Sequence, residues 1–121
     1  MKQLLIVFIG GGMGSVARFL VTKYFVVAKA SLVYGTLAVN VLGSLCIGLI
    51  LGYALKSTSL TQNQTLLLAT GFCGGFTTFS TFAYENVAFL KAGDYLYFFS
   101  YTIASIVLGL AAVFLGLWLV K

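Results

Sequence analysis

Four apolar stretches, each about as long as a lipid bilayer is thick, leave this chain little choice of fold. They run from about Leu4 to Phe25, Leu32 to Leu55, Thr65 to Leu90 and Tyr95 to Val120. Each meets or exceeds the roughly 20 residues that carry a helix across a hydrocarbon core. Only Lys56 to Gln64 (KSTSLTQNQ) reads as a polar loop, and Lys91 to Asp94 (KAGD) reads as a tight turn. A backbone in lipid must satisfy its own hydrogen bonds, and the alternation of a barrel strand is absent, so every span is expected to be helical. The expectation is an all-α membrane protein, with residues 1–121 forming a single four-helix transmembrane domain.

Composition agrees. Hydrophobic residues make up 61% of the chain and charged ones 7%, against about a quarter charged in a soluble domain. The formal net charge of +5 comes from single, scattered residues (Lys2, Arg18, Lys23, Lys29, Lys56, Lys91 and Lys121). Without a basic patch and interleaved aromatics, nucleic-acid binding is not expected. Cys46 and Cys73 lie in apolar segments, with no CxxC pair and no histidine, so they read as small buried hydrophobes and not as zinc ligands. Lys2 followed by an apolar run imitates a signal peptide, but no small-residue cleavage site ends it and three more spans follow; it is expected to stay as the first membrane helix.

Four crossings put both termini and the middle loop on one side. That side carries Lys2, Lys56 and Lys121; the other carries Lys23, Lys29 and Lys91. The tie removes the usual bias for orientation. A chain inserting both ways can pair as an antiparallel dimer about a two-fold axis in the membrane plane; selection of one orientation by helix hydrophobicity or a neighbouring protein is the alternative.

Polar groups inside a span cost free energy and mark function. Arg18, in GGGMGSVARF, either snorkels toward the interface or pairs with backbone carbonyls and attracts anions to a vestibule. Gly10 and Gly14 form a GxxxG pair suited to close helix packing. Asn40, in GTLAVNVLGSLCIG, offers donors either to another helix or to an anion path. The most informative stretch is GFCGGFTTFSTFAYE, Gly71 to Glu85, which packs three glycines, four Thr or Ser hydroxyls and four phenylalanines into the third span. Such a composition makes a poor helix, so a break is expected near Gly74 to Phe79. Carbonyls freed at membrane depth must meet protein, water or an ion, and carbonyl clusters suit hard monovalent cations. Phe79 and Phe82, three apart, share a face and could turn positive ring edges toward an anion, although a bare phenylalanine pair more commonly packs in a core or against lipid. Tyr101 and Ser105, with Thr102 beside them, form a short polar stripe on the fourth span.

Together these segments resemble the small bacterial fluoride channels of the Fluc (CrcB) type over nearly the whole chain. GGGMGSVAR, ending at Arg18, resembles that family's first motif loosely, with Ser15 where alanine is usual. GTLAVNVLGS at Gly35 to Ser44 is closer, and GFCGGFTTFSTF at Gly71 to Phe82 is highly specific. The resemblance implies an antiparallel, dual-topology homodimer with two pores and a structural sodium ion at its centre, held by the backbone carbonyls of Gly74 and Thr77. It implies pore-lining rings from Phe79 and Phe82, a donor from Asn40, hydroxyls from Ser80 and Thr81, and a continuing polar track at Tyr101 and Ser105. Arg18 and Glu85 would stand at a vestibule. The implied location is the bacterial inner (plasma) membrane, among its lipids, and the implied task is passive export of fluoride from the cytoplasm. Such a pore must replace the water of a small, strongly hydrated ion without holding it too deeply.

The competing reading is a small dual-topology, proton-coupled multidrug exporter, which would need a membrane-embedded carboxylate. Only Glu85 and Asp94 are available, and from sequence both fall at or beyond the end of the third span. A non-transporting assembly subunit would explain the glycines but not the hydroxyl and phenyl constellation. An enzyme is least expected, since no nucleophile–base pair can be assembled.

Overall fold

A computed structural model describes residues 1–56 and 59–121. Its described elements are α1 (Lys2–Val27), α2 (Leu32–Lys56), a short α3 (Gln62–Thr65), a π-helical segment (Leu66–Cys73), a further turn α4 (Gly74–Phe76), α5 (Ser80–Ala92) and α6 (Tyr95–Leu119). The pieces from Gln62 to Ala92 form one 31-residue crossing, so four spans are long and apolar enough to traverse a membrane. Their limits fall within a few residues of those expected. The expected polar loop falls partly on Ser57 and Thr58, which lie outside the described residues; its far end, Gln62 to Gln64, is already helical, started by a capping box between Thr61 and Gln64.

Two packing seams organise the bundle. In the first, α1 lies against the third span through glycines on both sides. A methyl group on Gly10 would sit 2.5 Å from the Leu67 carbonyl oxygen, and one on Gly71 would sit 2.9 Å from Gly10 Cα. Gly14 faces the Phe72 carbonyl and Gly75 faces the Gly11 carbonyl just as closely. The GxxxG pair at Gly10 and Gly14 therefore packs as its spacing predicts, with two further glycines opposite it. The second seam joins α2 to α6. There a methyl on Gly48 would meet the Val113 carbonyl at 2.5 Å, and one on Gly116 would meet the Leu45 carbonyl at 2.6 Å. Lys56 Nζ donates to the Lys121 carbonyl at 3.2 Å, which places those two lysines at one end of the bundle.

The turns at the other end use left-handed residues. After α5, Gly93 takes φ 76°, Gly93 N–H donates to Leu90 O and Asp94 N–H donates to Phe89 O. This is a Schellman closure with its usual glycine. After α1 the same pair of bonds recurs, Lys29 N–H to Val26 O and Ala30 N–H to Phe25 O, but the left-handed position is filled by Lys29 at φ 60°.

The break in the third span lies where α4 stops and α5 has not begun. Thr77 is extended (φ −83°, ψ 158°) and Phe79 returns to helical angles. This is the C-terminal half of the window expected from sequence; Gly74 to Phe76 remain helical. The preceding π-helical stretch was not foreseen. It widens the turns just before the break, a feature common near functional sites.

Candidate functional site at the helix break

The break is viable because other side chains take over the hydrogen bonds it releases. Asn40, about a third of the way along α2, holds Thr78 twice: Thr78 N–H donates to Asn40 Oδ1 at 2.7 Å, and Asn40 Nδ2 donates to Thr78 O at 3.0 Å. Arg18 Nε donates to the Gly75 carbonyl at 3.0 Å. Thr78 Oγ1 accepts from Thr81 N–H at 3.3 Å and caps the first turn of α5. Of the two readings open for Arg18, pairing with a backbone carbonyl is the one the structure contains. Of those open for Asn40, contact with another helix accounts for its carbonyl and one N–H. Its amide nitrogen carries a second hydrogen, and the residue lines both grooves that flank the break.

The same bonds release two particular carbonyls. In an unbroken helix Thr78 N–H would close on Gly74 O, and Thr81 N–H would close on Thr77 O. Here the first goes to Asn40 Oδ1 and the second to Thr78 Oγ1. Gly74 and Thr77 both line the wider groove beside the break, and a Cβ on Gly74 would meet nothing within 4 Å. Two neutral oxygen dipoles on bare backbone suit a hard monovalent cation in their chemistry.

One groove beside the break has a volume of about 280 Å³ and is lined by Asn40, Ser44, Thr77, Thr78, Phe79, Phe82, Ser105, Ile106 and Gly109. The Phe79 and Phe82 rings lie 5.7 Å apart and tilted at 48°, and Phe82 lies 5.1 Å from the Tyr101 ring. Phe79 is the N-cap of α5 at helical angles and accepts from Ala83 N–H, so it keeps the three-residue spacing to Phe82 expected from sequence and both line the groove; Phe79 is 77% exposed. Ser105 Oγ is buried on the groove wall with no hydrogen-bond partner among the described residues. Ser80 and Thr81 do not line the groove: their hydroxyls turn to Thr78 Oγ1, at 3.4 and 3.3 Å. A second groove, of about 440 Å³, continues past Ser44 and Thr77 to Cys73 and Gly74.

Glu85 is placed in the interior of the chain and not at an open mouth. Thr36 Oγ1 donates to Glu85 Oε2 at 2.9 Å and the Tyr101 hydroxyl donates to Oε1 at 2.7 Å. Thr36, Glu85 and Tyr101 are all buried, with Thr36 at 0% exposure. The carboxylate also lies well inside the third span, within α5, which corrects its placement at the end of that span.

Sequence reasoning passed over Thr36, Ser44 and Thr78. Thr36, Asn40 and Ser44 recur at intervals of four along α2 and form a polar stripe facing Tyr101 and Ser105 on α6. That spacing was the signal available.

A bundle of four spans, the third broken at membrane depth beside hydroxyl- and phenyl-lined grooves, defines a small multi-pass membrane protein built to handle ions, since irregular backbone at this depth is tolerated only where it lines a cavity or is buried in protein. Residues 5–117 match the family model described as CrcB-like protein, Camphor Resistance (CrcB), and the chain belongs to that family. Its relatives include the fluoride-specific ion channel FluC of Gloeothece citriformis, 51% identical over 122 residues that cover 100% of this chain and 98% of the relative. The FluC protein of Phocaeicola vulgatus is 47% identical, covering 98% of each chain. That of Chlorobaculum tepidum is 46% identical, covering 100% of this chain and 96% of its own.

Proposed function

We propose that this chain is a subunit of a passive, fluoride-selective channel that exports fluoride from the cytoplasm across the bacterial inner membrane. The relatives are named fluoride-specific ion channels, and the match to them covers essentially their full length. The observation that carries the reading within the molecule is the groove at the break, which Asn40, with an amide hydrogen to spare, Ser105, with an unpartnered hydroxyl, and the Phe79 and Phe82 rings line together. Neutral donors of this kind replace the hydration of a small anion while leaving it free to move on. No residue of the groove carries a fixed positive charge that would trap the ion. Arg18, engaged with Gly75 O, attracts anions from nearby without entering the groove.

Two finer elements belong to the same reading. The groove is open and Phe79 is largely exposed, which suits completion of the path by a second copy. The lysine tie between the two ends suits an antiparallel arrangement with two such paths. A two-fold axis near Gly74 would bring four carbonyls together, from Gly74 and Thr77 of each copy, as the site of a structural sodium ion.

The test is fluoride efflux from proteoliposomes. Rapid efflux is expected from the natural chain and loss of it from Phe79→Ile and Phe82→Ile. Equal passage of chloride would overturn the assignment. One observation keeps the exporter reading open: Glu85 is a carboxylate inside a span. Fluoride flux that persists without a pH gradient, together with no proton-driven uptake of organic cations, removes it.

A further inference from the structure

A cleft of about 710 Å³, larger than either groove at the break, opens at the end of the bundle where the α1–α2 and α5–α6 turns meet. Its chemistry differs from the grooves. Tyr34, Phe89, Tyr97 and Tyr101 supply aromatic walls, Ser31 and Ser100 supply hydroxyls, and Asp94 supplies a carboxylate at the rim. Phe89 stacks on one face of Tyr97 at 5.8 Å, and Tyr97 remains 63% exposed, so its opposite face is available. No hydrogen bond or ion pair occupies the Asp94 carboxylate among the described residues. Lys29, on the α1–α2 turn, and Lys91, in the last turn of α5, are two and three residues in sequence from the cleft-lining Ser31 and Asp94.

We propose that this cleft holds the headgroup of a zwitterionic aminophospholipid, with its ammonium between Asp94 and the Tyr34 and Tyr97 rings and its phosphate toward Ser31, Lys29 and Lys91. Three observations select this occupant. The cleft lies at one end of the spans, its lining running from the turn residues Ser31 and Asp94 into the first turns of α2 and α6, which is where a bilayer's headgroups meet helices of this length. Aromatic faces beside a carboxylate attract an organic cation. Lysines on the flanking turns attract phosphate, as juxtamembrane basic residues do, whereas a lipid of purely anionic headgroup would bring its charge against Asp94 with no ammonium to offset it.

Native mass spectrometry of the detergent-purified protein tests this, with dioleoyl phosphatidylethanolamine and dioleoyl phosphatidylglycerol supplied at equal concentration. The natural chain is expected to retain the ethanolamine lipid preferentially. Asp94→Asn and, separately, Tyr97→Leu are each expected to lower that retention by roughly five-fold while leaving the glycerol lipid unchanged. Equal retention of both lipids by the natural chain, or an undiminished preference in Asp94→Asn, would overturn the proposal. A third arm adds free O-phosphoethanolamine. Displacement of the lipid at equal concentration would show a site for the soluble headgroup and overturn the lipid as occupant; persistence of the lipid supports it.

Discussion

Asn40 grips Thr78 as a neighbouring strand would, giving one acceptor and one donor to the same residue at 2.7 and 3.0 Å. Removing that side chain orphans a backbone N–H and a C=O at membrane depth. Asn40→Ala is therefore expected to lower unfolding stability by about 2–4 kcal/mol, measured by denaturant titration in detergent. A loss below about 0.5 kcal/mol would mean that water or local rearrangement replaces both bonds. Asn40→Asp keeps the acceptor for Thr78 N–H and removes the donor to Thr78 O, so it should fall between.

The seam between α1 and the third span admits no added carbon at Gly14, where a Cβ would collide with the Phe72 carbonyl and lie 2.9 Å from Phe76 N. Gly14→Ala is expected to cost about 3 kcal/mol. Two residues away, a Cβ on Gly12 meets nothing within 4 Å, and Gly12→Ala should be neutral or stabilising by up to about 1 kcal/mol through helix propensity. Similar effects at both positions would show that the seam is not set by backbone contact.

Lys29 occupies a left-handed position that glycine holds in the equivalent turn at Gly93. Lys29→Gly is expected to stabilise the chain by about 1 kcal/mol by removing the steric penalty of a side chain there. Gly93→Ala should destabilise it by a similar amount. The two variants are compared by their thermal midpoints, and opposite signs are the expected result.

On the proposed reading of the Gly74 and Thr77 carbonyls, replacing sodium by a large organic cation should weaken the dimer. Subunit exchange between differently labelled dimers in detergent would become faster. An exchange rate independent of sodium would count against the ion site while leaving the groove untouched.

The four spans were legible because bilayer thickness imposes itself on sequence as length and apolarity, and because charges are too few to interrupt any of the four apolar runs. The break was legible because Gly74, Gly75, Thr77 and Thr78 all weaken a helix at one place. Its position was not, since that depends on which residue Asn40 reaches, and Asn40 lies 38 positions away from Thr78. Arg18 illustrates the same limit: its spacing says that it sits deep, and only the packing of Gly11 on Gly75 brings its Nε to a carbonyl. The π-helical stretch Leu66–Cys73 leaves no mark in composition, because the same apolar residues serve either winding. The burial of Glu85 by Thr36 and Tyr101 could be read only after the stripe on α2 was set beside the one on α6.

Because the third span is cut at Thr77, it presents two helix ends in the middle of the membrane where an unbroken helix would present none. The upstream rod ends in carbonyls and the downstream rod begins in amides, so aligned peptide dipoles place roughly half a unit of negative charge on one lip and roughly half a unit of positive charge on the other. On the proposed reading, one interruption of the backbone would thus give a cation and an anion each a pole of the right sign, within a few residues of each other, without a charged side chain being placed in either site.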